Sequence, residues 1–272
     1  MQYALIDNIR REAHKGAKAI CPICEADMVA KCGPRIIHHW AHRYIQKCDP
    51  WWENETEWHR DWKNLFPEEC REISHLSTEG EVHRADVKTA KGIVVEFQNS
   101  PMSDQERSSR EKFYKNLVWV INGEKFKNNF DVYHCLPDPS SEIAKDLVWF
   151  KSYRSKCGTI NGLFWKRSEN PDIQEGHGDM VWIHGINEIK EEVGKTYLGH
   201  HQYDWVRPQK TWLEATCPVY IDFGDEYLIR LEMYQQQESL SCIRLISKKK
   251  FIYDVNNQTS ARNIGTCFFP IN

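Results

Sequence analysis

The sequence predicts a mixed α/β fold with a Cys/His-rich element before it and a β-rich region after it. Three observations carry this. Residues 49–135 read as helix, strands, helix, strand, because apolar spacing switches between helical and alternating periods. Residues 1–48 contain CPIC and HHWAH with little helical period. Residues 136–272 hold a helical stretch (141–150), a polar stretch, KRSENPDIQEGHGD, and then the β-like runs MVWIH, PVYIDF, EYLIRLEMY, SCIRLIS and FIYDV. A chain of 272 residues, 40% of them hydrophobic, can build one large domain or two small ones. The working division is 1–48, 49–135 and 136–272, with the last expected to form a second, mostly antiparallel unit.

The first element offers metal ligands. CPIC supplies Cys21 and Cys24, and HWAH supplies His39 and His42 after fourteen intervening residues. Zinc takes four nitrogen or sulfur ligands in a tetrahedron, so two paired sets suit it. The closing His pair is tighter than usual, and His38, Cys32 and Cys48 are alternative ligands. Four ligands close a site, so a structural zinc is expected, folding a segment with little core of its own.

Charge and hydropathy exclude several classes. The net charge is −3, so the protein is no polycation, and contact with nucleic acid must use a local patch. No apolar run approaches the ~18 residues that span a membrane. The start, MQYALIDNIRREAHKG, lacks the apolar stretch of a signal peptide. A cytoplasmic location follows as an expectation, and there the ten Cys serve as thiols or metal ligands.

The first helix of the middle region is expected over DPWWENETEWHRDWKNLFP, with Asp49 as N-cap, Pro50 at the first position and Pro67 as the stop. Trp51, Trp58, Trp62 and Leu65 form its apolar stripe. Glu55, His59 and Lys63 share a neighbouring face. A hairpin follows in HRADVKTAKGIVVEFQNS. A three-residue loop, Ala90-Lys91-Gly92, with Gly92 left-handed sets Asp86 opposite Glu96. Directly opposed carboxylates repel unless a proton or cation lies between them. Hard divalent ions such as Mg²⁺ accept such carboxylates, and Glu55 offers a third. Gln98 shares the Glu96 face by strand alternation. The second helix, SDQERSSREKFYKN, starts with the capping box Ser103/Glu106, and its Arg107 and Arg110 are candidate phosphate contacts.

This order of elements resembles the PD-(D/E)xK nuclease core, the restriction-endonuclease-like fold. More closely, CPIC, HHWAH, ETEWHRDWK, HRAD, VEFQNS and SDQERSSREKFY ending in WVI resemble the competence protein CoiA-like family over about residues 20–122. The resemblance implies a Mg²⁺- or Mn²⁺-dependent nuclease acting on nucleic acid, DNA more than RNA, with an N-terminal zinc element. It makes Asp86 and Glu96 the metal-binding acids, Glu55 the helix acid (Glu57 competes for that role) and His59 a further active-site residue. Gln98 stands where the wider superfamily has Lys. An amide orients water but adds no charge. Lys63, Arg84 or Arg110 is expected to supply the missing positive charge. The alternatives are a non-catalytic zinc-containing nucleic-acid-binding or adaptor protein, and an RNA-directed nuclease.

In the last region, WVRPQKTW reads first as packing anchors and SKKKF as a solvated strand end. No phosphate-binding GxxxxGK[ST] loop and no GxSxG turn occur.

Overall fold

A computed structural model describes residues 1–44, 48, 49, 51, 55–76, 80–173 and 180–266. The N-terminal element is a five-stranded antiparallel sheet of β1 (Tyr3–Ile6), β2 (Ile9–Glu12), β3 (Lys18–Ile20), β4 (Asp27–Lys31) and β5 (His39–His42), in the order β2-β1-β3-β4-β5. It curls until Trp40 N–H donates to Met1 O at 2.8 Å. Ala4, Ala19, Met28 and Trp40 fill its small core. So small a core is the physical reason a metal would be needed there.

The middle region follows the expected order: α1 (Glu57–Asn64), β6 (Arg71–Leu76), β7 (Val82–Lys88), β8 (Val94–Gln98), α2 (Asp104–Tyr114), β9 (Leu117–Asn122) and β10 (Phe130–Cys135). β6, β7 and β8 form an antiparallel meander. The connection through α2 makes β9 parallel to β8, with Glu96 beside Trp119. Alternation along these strands serves two layers. Val95, Phe97, Val118 and Val120 pack under α1, where Trp62 stacks on Phe97 at 5.4 Å. Val94, Leu117, Trp119 and Ile121 pack on the opposite side with Tyr114 of α2.

Helix α1 starts later than the sequence suggested. Its N-cap is Thr56, whose hydroxyl accepts from His59 N–H. Pro50 and residues 52–54 lie outside the described residues. Asp49 caps nothing in α1; its carboxylate accepts from Trp51 N–H and Arg84 N–H and meets His83 Nδ1 at 3.1 Å. Glu55 therefore precedes the helix.

The region after 136 is not a separate unit. Its strands Val219–Asp222, Tyr227–Met233, Ser241–Ser247 and His200–Trp205 continue the same sheet, which has nine strands among the described residues. Val219–Asp222 runs parallel to β9, and the FGDE step forms a hairpin with Gly224 at φ +86°. The run FIYDV is helical, inside Lys248–Asn257, because Phe251 and Val255 fall one turn apart and Ser247 caps the first turn. The 141–150 stretch is a short helix, Glu142–Asp146, running into the strand Leu147–Trp149, which pairs with Leu163–Lys166 in a small satellite sheet. Trp205 and Trp212 are core residues, as packing anchors should be. Among the described residues no helix is long and apolar enough to cross a membrane.

Candidate active site and metal cluster

The hairpin closes as its sequence requires. Thr89 N–H donates to Ile93 O, Gly92 N–H donates to Thr89 O, and Gly92 sits at φ +85°. Val87 lies opposite Val95 and Lys88 opposite Val94. One step further along this register, Asp86 lies opposite Glu96. There the backbone ladder hands over to side chains. Asp86 N–H donates to Glu96 Oε1 at 3.3 Å, and Phe97 N–H donates to Asp86 Oδ2 at 3.0 Å. The two carboxylates thus enter the seam between β7 and β8 instead of covering it.

A pocket opens at that seam. It is lined by Asp86, Glu96 and Gln98 of the hairpin, by His59 and Lys63 of α1, and by Glu55, Arg84 and Arg110. Eight of the nine residues expected at the nuclease site therefore meet in one place. Arg107 is the exception. It turns away because Glu111 at 2.8 Å and Thr211 at 3.3 Å hold its guanidinium outside the pocket.

The electrostatics follow from burial. Glu96 is almost wholly buried, and burial with the Asp86 charge beside it pushes its carboxyl up to about 8, against the pull of Arg110. Arg110 binds Glu96 Oε2 at 3.0 Å, Glu106 at 2.6 Å and Trp51 O at 2.9 Å. Burial opposes the charge on Lys63, but Glu72, Asp86 and Glu55 hold its ammonium above the ordinary range. Burial likewise opposes Arg84, and Glu72, Asp49 and Asp86 win there too. Glu55 bonds Arg60 and Lys63; burial raises its carboxyl, yet these cations hold it low. Gln98 Nε2 donates to Ser100 O at 3.0 Å, which fixes the amide plane.

His59 is oriented by the cap of its own helix. Its Nδ1 accepts from Thr56 N–H at 3.4 Å and lies 2.9 Å from Thr56 Oγ1. A backbone N–H can only donate, so the neutral ring carries its proton on Nε2.

Sequence reading missed five lining residues: Met1, Asp49, Trp51, Glu72 and Phe97. Glu72 lies on β6 between the pairs Arg71–Val87 and Ile73–Ala85, so it sits opposite Asp86. Glu72, Asp86 and Glu96 thus form one row across three strands. Glu72 adopts φ +47°, a left-handed backbone worth about 1–3 kcal/mol of strain in a side-chain-bearing residue. A lone acid on a strand carries no pattern that would single it out. Asp49 and Trp51 belong to the helix that sequence reading began too early.

The second cluster lies at the end of the N-terminal sheet. Cys21, Cys24, His42 and Cys48 bring one ligand atom each to within 4.8 Å of one another. Cys24 Sγ lies 3.3 Å and Cys48 Sγ 3.5 Å from His42 Nε2, and Cys21 Sγ lies 4.0 Å from Cys48 Sγ. A tetrahedral zinc with bonds near 2.3 Å sets its ligand atoms about 3.8 Å apart. Donor type and spacing both fit such a structural ion. The neighbouring Cys48 holds the Cys21 thiol down, to about 4, while Cys21 pushes Cys48 up, so the pair shares one proton.

His39 is not in this set, and Cys48 takes its place. β5 is extended, so residues three apart face opposite ways: His42 turns to the cluster with the Trp40 face, and His39 turns out and bonds Ile37 O at 2.8 Å. His38 and Cys32 are also outside the cluster.

No protein-family model, no curated protein and no solved structure matches this chain.

Proposed function

We propose that the protein is a metal-dependent nuclease that hydrolyses phosphodiester bonds, in DNA more than RNA. In this reading it uses a core like that of the PD-(D/E)xK enzymes and the competence CoiA-like family, and zinc holds its N-terminal element. The observation that carries the reading is the opposed pair Asp86 and Glu96 at the opened seam of β7 and β8, ringed by Lys63, Arg84 and Arg110. A carboxyl raised by burial and by the acid opposite it forms a site prepared for a cation.

Asp86 and Glu96 would hold Mg²⁺ or Mn²⁺, and such an ion supplies Lewis-acid polarisation of a phosphate oxygen. The chain's own groups supply the rest. Arg84 and Arg110 offer guanidinium donors to phosphate oxygens. Lys63 brings the positive charge that Gln98 lacks, from α1 rather than from β8. Gln98 orients a water through an amide that Ser100 holds still. His59, protonated on Nε2, donates a hydrogen bond to an anionic oxygen and is not the first base.

The test is a cleavage assay on single-stranded DNA, duplex DNA and RNA with Mg²⁺, Mn²⁺ or EDTA, beside Asp86→Ala. Metal-dependent cutting that the variant loses supports the reading and shows the preferred polymer. Gln98 favours a second reading, a non-catalytic zinc-containing nucleic-acid-binding or adaptor protein. Binding without cutting under every condition would select it.

A further inference from the structure

Glu72 is a buried carboxylate that accepts four contacts from three donors. Gln2 N–H reaches both its oxygens at 2.9 Å, and Tyr3 N–H reaches Oε2 at 3.2 Å. Lys63 Nζ reaches Oε1 at 2.9 Å. Two of these partners belong to the start of β1, in the element that ends at the Cys/His cluster. The third is the ammonium on α1, on which the Asp86 charge also acts. One side chain therefore joins the N-terminal element to the pocket. Arg10, donating to Arg71 O at 2.7 Å, and Arg60, donating to His38 O at 3.1 Å, brace the same junction.

Lys63 is the piece this junction controls. It lies between Glu55 Oε1 at 2.5 Å and Glu72 Oε1, and the charge of Asp86 acts on it from the next strand. With both glutamates present the ammonium has two partners other than Asp86. Without the Glu72 charge, Asp86 is the carboxylate besides Glu55 whose charge already acts on the ammonium, and the ammonium then competes for the carboxylate that the divalent ion needs.

We propose that Glu72 is a positioning residue that holds Lys63 off Asp86 and locks the Cys/His element into the pocket wall, so that the divalent-ion site is complete only with that element docked. The divalent-ion site is the one in the nuclease reading above, and the proposal rests on it for that site's role alone.

The test uses the full chain and the variants Glu72→Gln and Glu72→Asp. Glu72→Gln keeps the shape and an acceptor oxygen but removes the charge; Glu72→Asp keeps the charge. Amide hydrogen exchange is followed at Gln2 and Tyr3, and Mn²⁺ affinity is measured by titration calorimetry. In Glu72→Gln we expect the two amides to exchange at least tenfold faster than in the wild type while the nine-stranded sheet keeps its protection. We also expect the Mn²⁺ Kd to rise about tenfold, and Glu72→Asp to recover part of both. If cleavage is seen, kcat falls tenfold or more in Glu72→Gln with KM within about threefold. Unchanged exchange and unchanged Mn²⁺ affinity in a folded Glu72→Gln protein overturn the proposal. So does a loss that only tracks the folded fraction. Wild-type protein that binds Mn²⁺ but cuts nothing overturns the nuclease reading, and the exchange and Mn²⁺ data still decide the role of Glu72.

Discussion

Trp62 donates its indole N–H to Asp222 at 2.7 Å, across 160 residues of chain. Trp58 donates to the same oxygen at 2.9 Å, and Lys248 and Gly224 N–H complete the set at 2.8 Å each. Helix α1 carries His59 and Lys63 into the pocket. The carboxylate that seats it comes from the strand Val219–Asp222, outside the region that sequence reading assigned to the nuclease core.

Replacing Asp222 with Ala strands two indole donors and a lysine at a buried point. Each unpaired group costs about 1–3 kcal/mol, so a loss of about 3–5 kcal/mol is expected in denaturant unfolding. Burial raises the Asp222 carboxyl, but Lys248, Gly224 N–H and the two indoles hold it below its ordinary range. Its stabilising share is therefore present above an ordinary Asp pKa and fades as the pH falls through the lower, folded value. Asp222→Ala should flatten that acid limb. An unfolding midpoint equal to wild type would refute the clamp.

Glu96 gives a pH prediction of opposite sign. Burial and then Asp86 place its folded pKa near 8, so between the ordinary carboxylate range and pH 8 the folded chain binds a proton that the unfolded chain lacks. Stability falls with rising pH through that window and levels off above it. A divalent ion must displace the same proton. Calorimetry of Mn²⁺ binding at pH 6.5 in buffers of different ionisation enthalpy should show release of about one proton per ion, falling towards zero at pH 9. Equal heats in all buffers at pH 6.5 would contradict the protonated pair.

Metal analysis separates the ligands of the N-terminal cluster. Cys48→Ser should lower the bound zinc and the unfolding midpoint, as should Cys21→Ser. His39→Ala should leave both within error, since His39 bonds only the local carbonyl of Ile37 among the described residues. Zinc lost with His39 but retained with Cys48 replaced would restore the spacing first read from the sequence.

Arg107 and Arg110, three residues apart on α2, should behave differently. Arg107→Ala leaves Glu111 short of its buried partner and should cost about 2–4 kcal/mol of stability with Mn²⁺ affinity unchanged. Arg110→Ala removes the cation bonded to Glu96 and should raise that carboxyl further, weakening Mn²⁺ binding at neutral pH. Equal effects on Mn²⁺ binding would mean the pocket is drawn wrongly.

Much of the site was legible because it is local. A three-residue loop with one left-handed glycine fixes which residues face each other, so Asp86 and Glu96 could be paired from eleven consecutive letters. The Cys/His cluster was half legible. CPIC names its own pair, but HWAH in an extended segment cannot turn His39 and His42 the same way, and strand parity would have flagged this. Glu72 and Asp222 were illegible: each is an isolated acid whose meaning arises from chain that arrives from elsewhere. The helix over FIYDV was misread because aromatic and β-branched composition outweighed the one-turn spacing of Phe251 and Val255.

The parallel seating of Val219–Asp222 against β9 also sets a timetable. Synthesis proceeds at about 5–20 residues per second, so Trp58 and Trp62 emerge roughly 10–30 s before the carboxylate that receives them. During that interval the helix that carries His59 and Lys63 lacks the carboxylate that clamps its indoles, and β9 shows a bare edge where its neighbour will pair. Long-range parallel pairing closes late and slowly. The hairpin acids can meet early, but the clamp on the helix that brings the ammonium beside them closes only after Asp222 has been made.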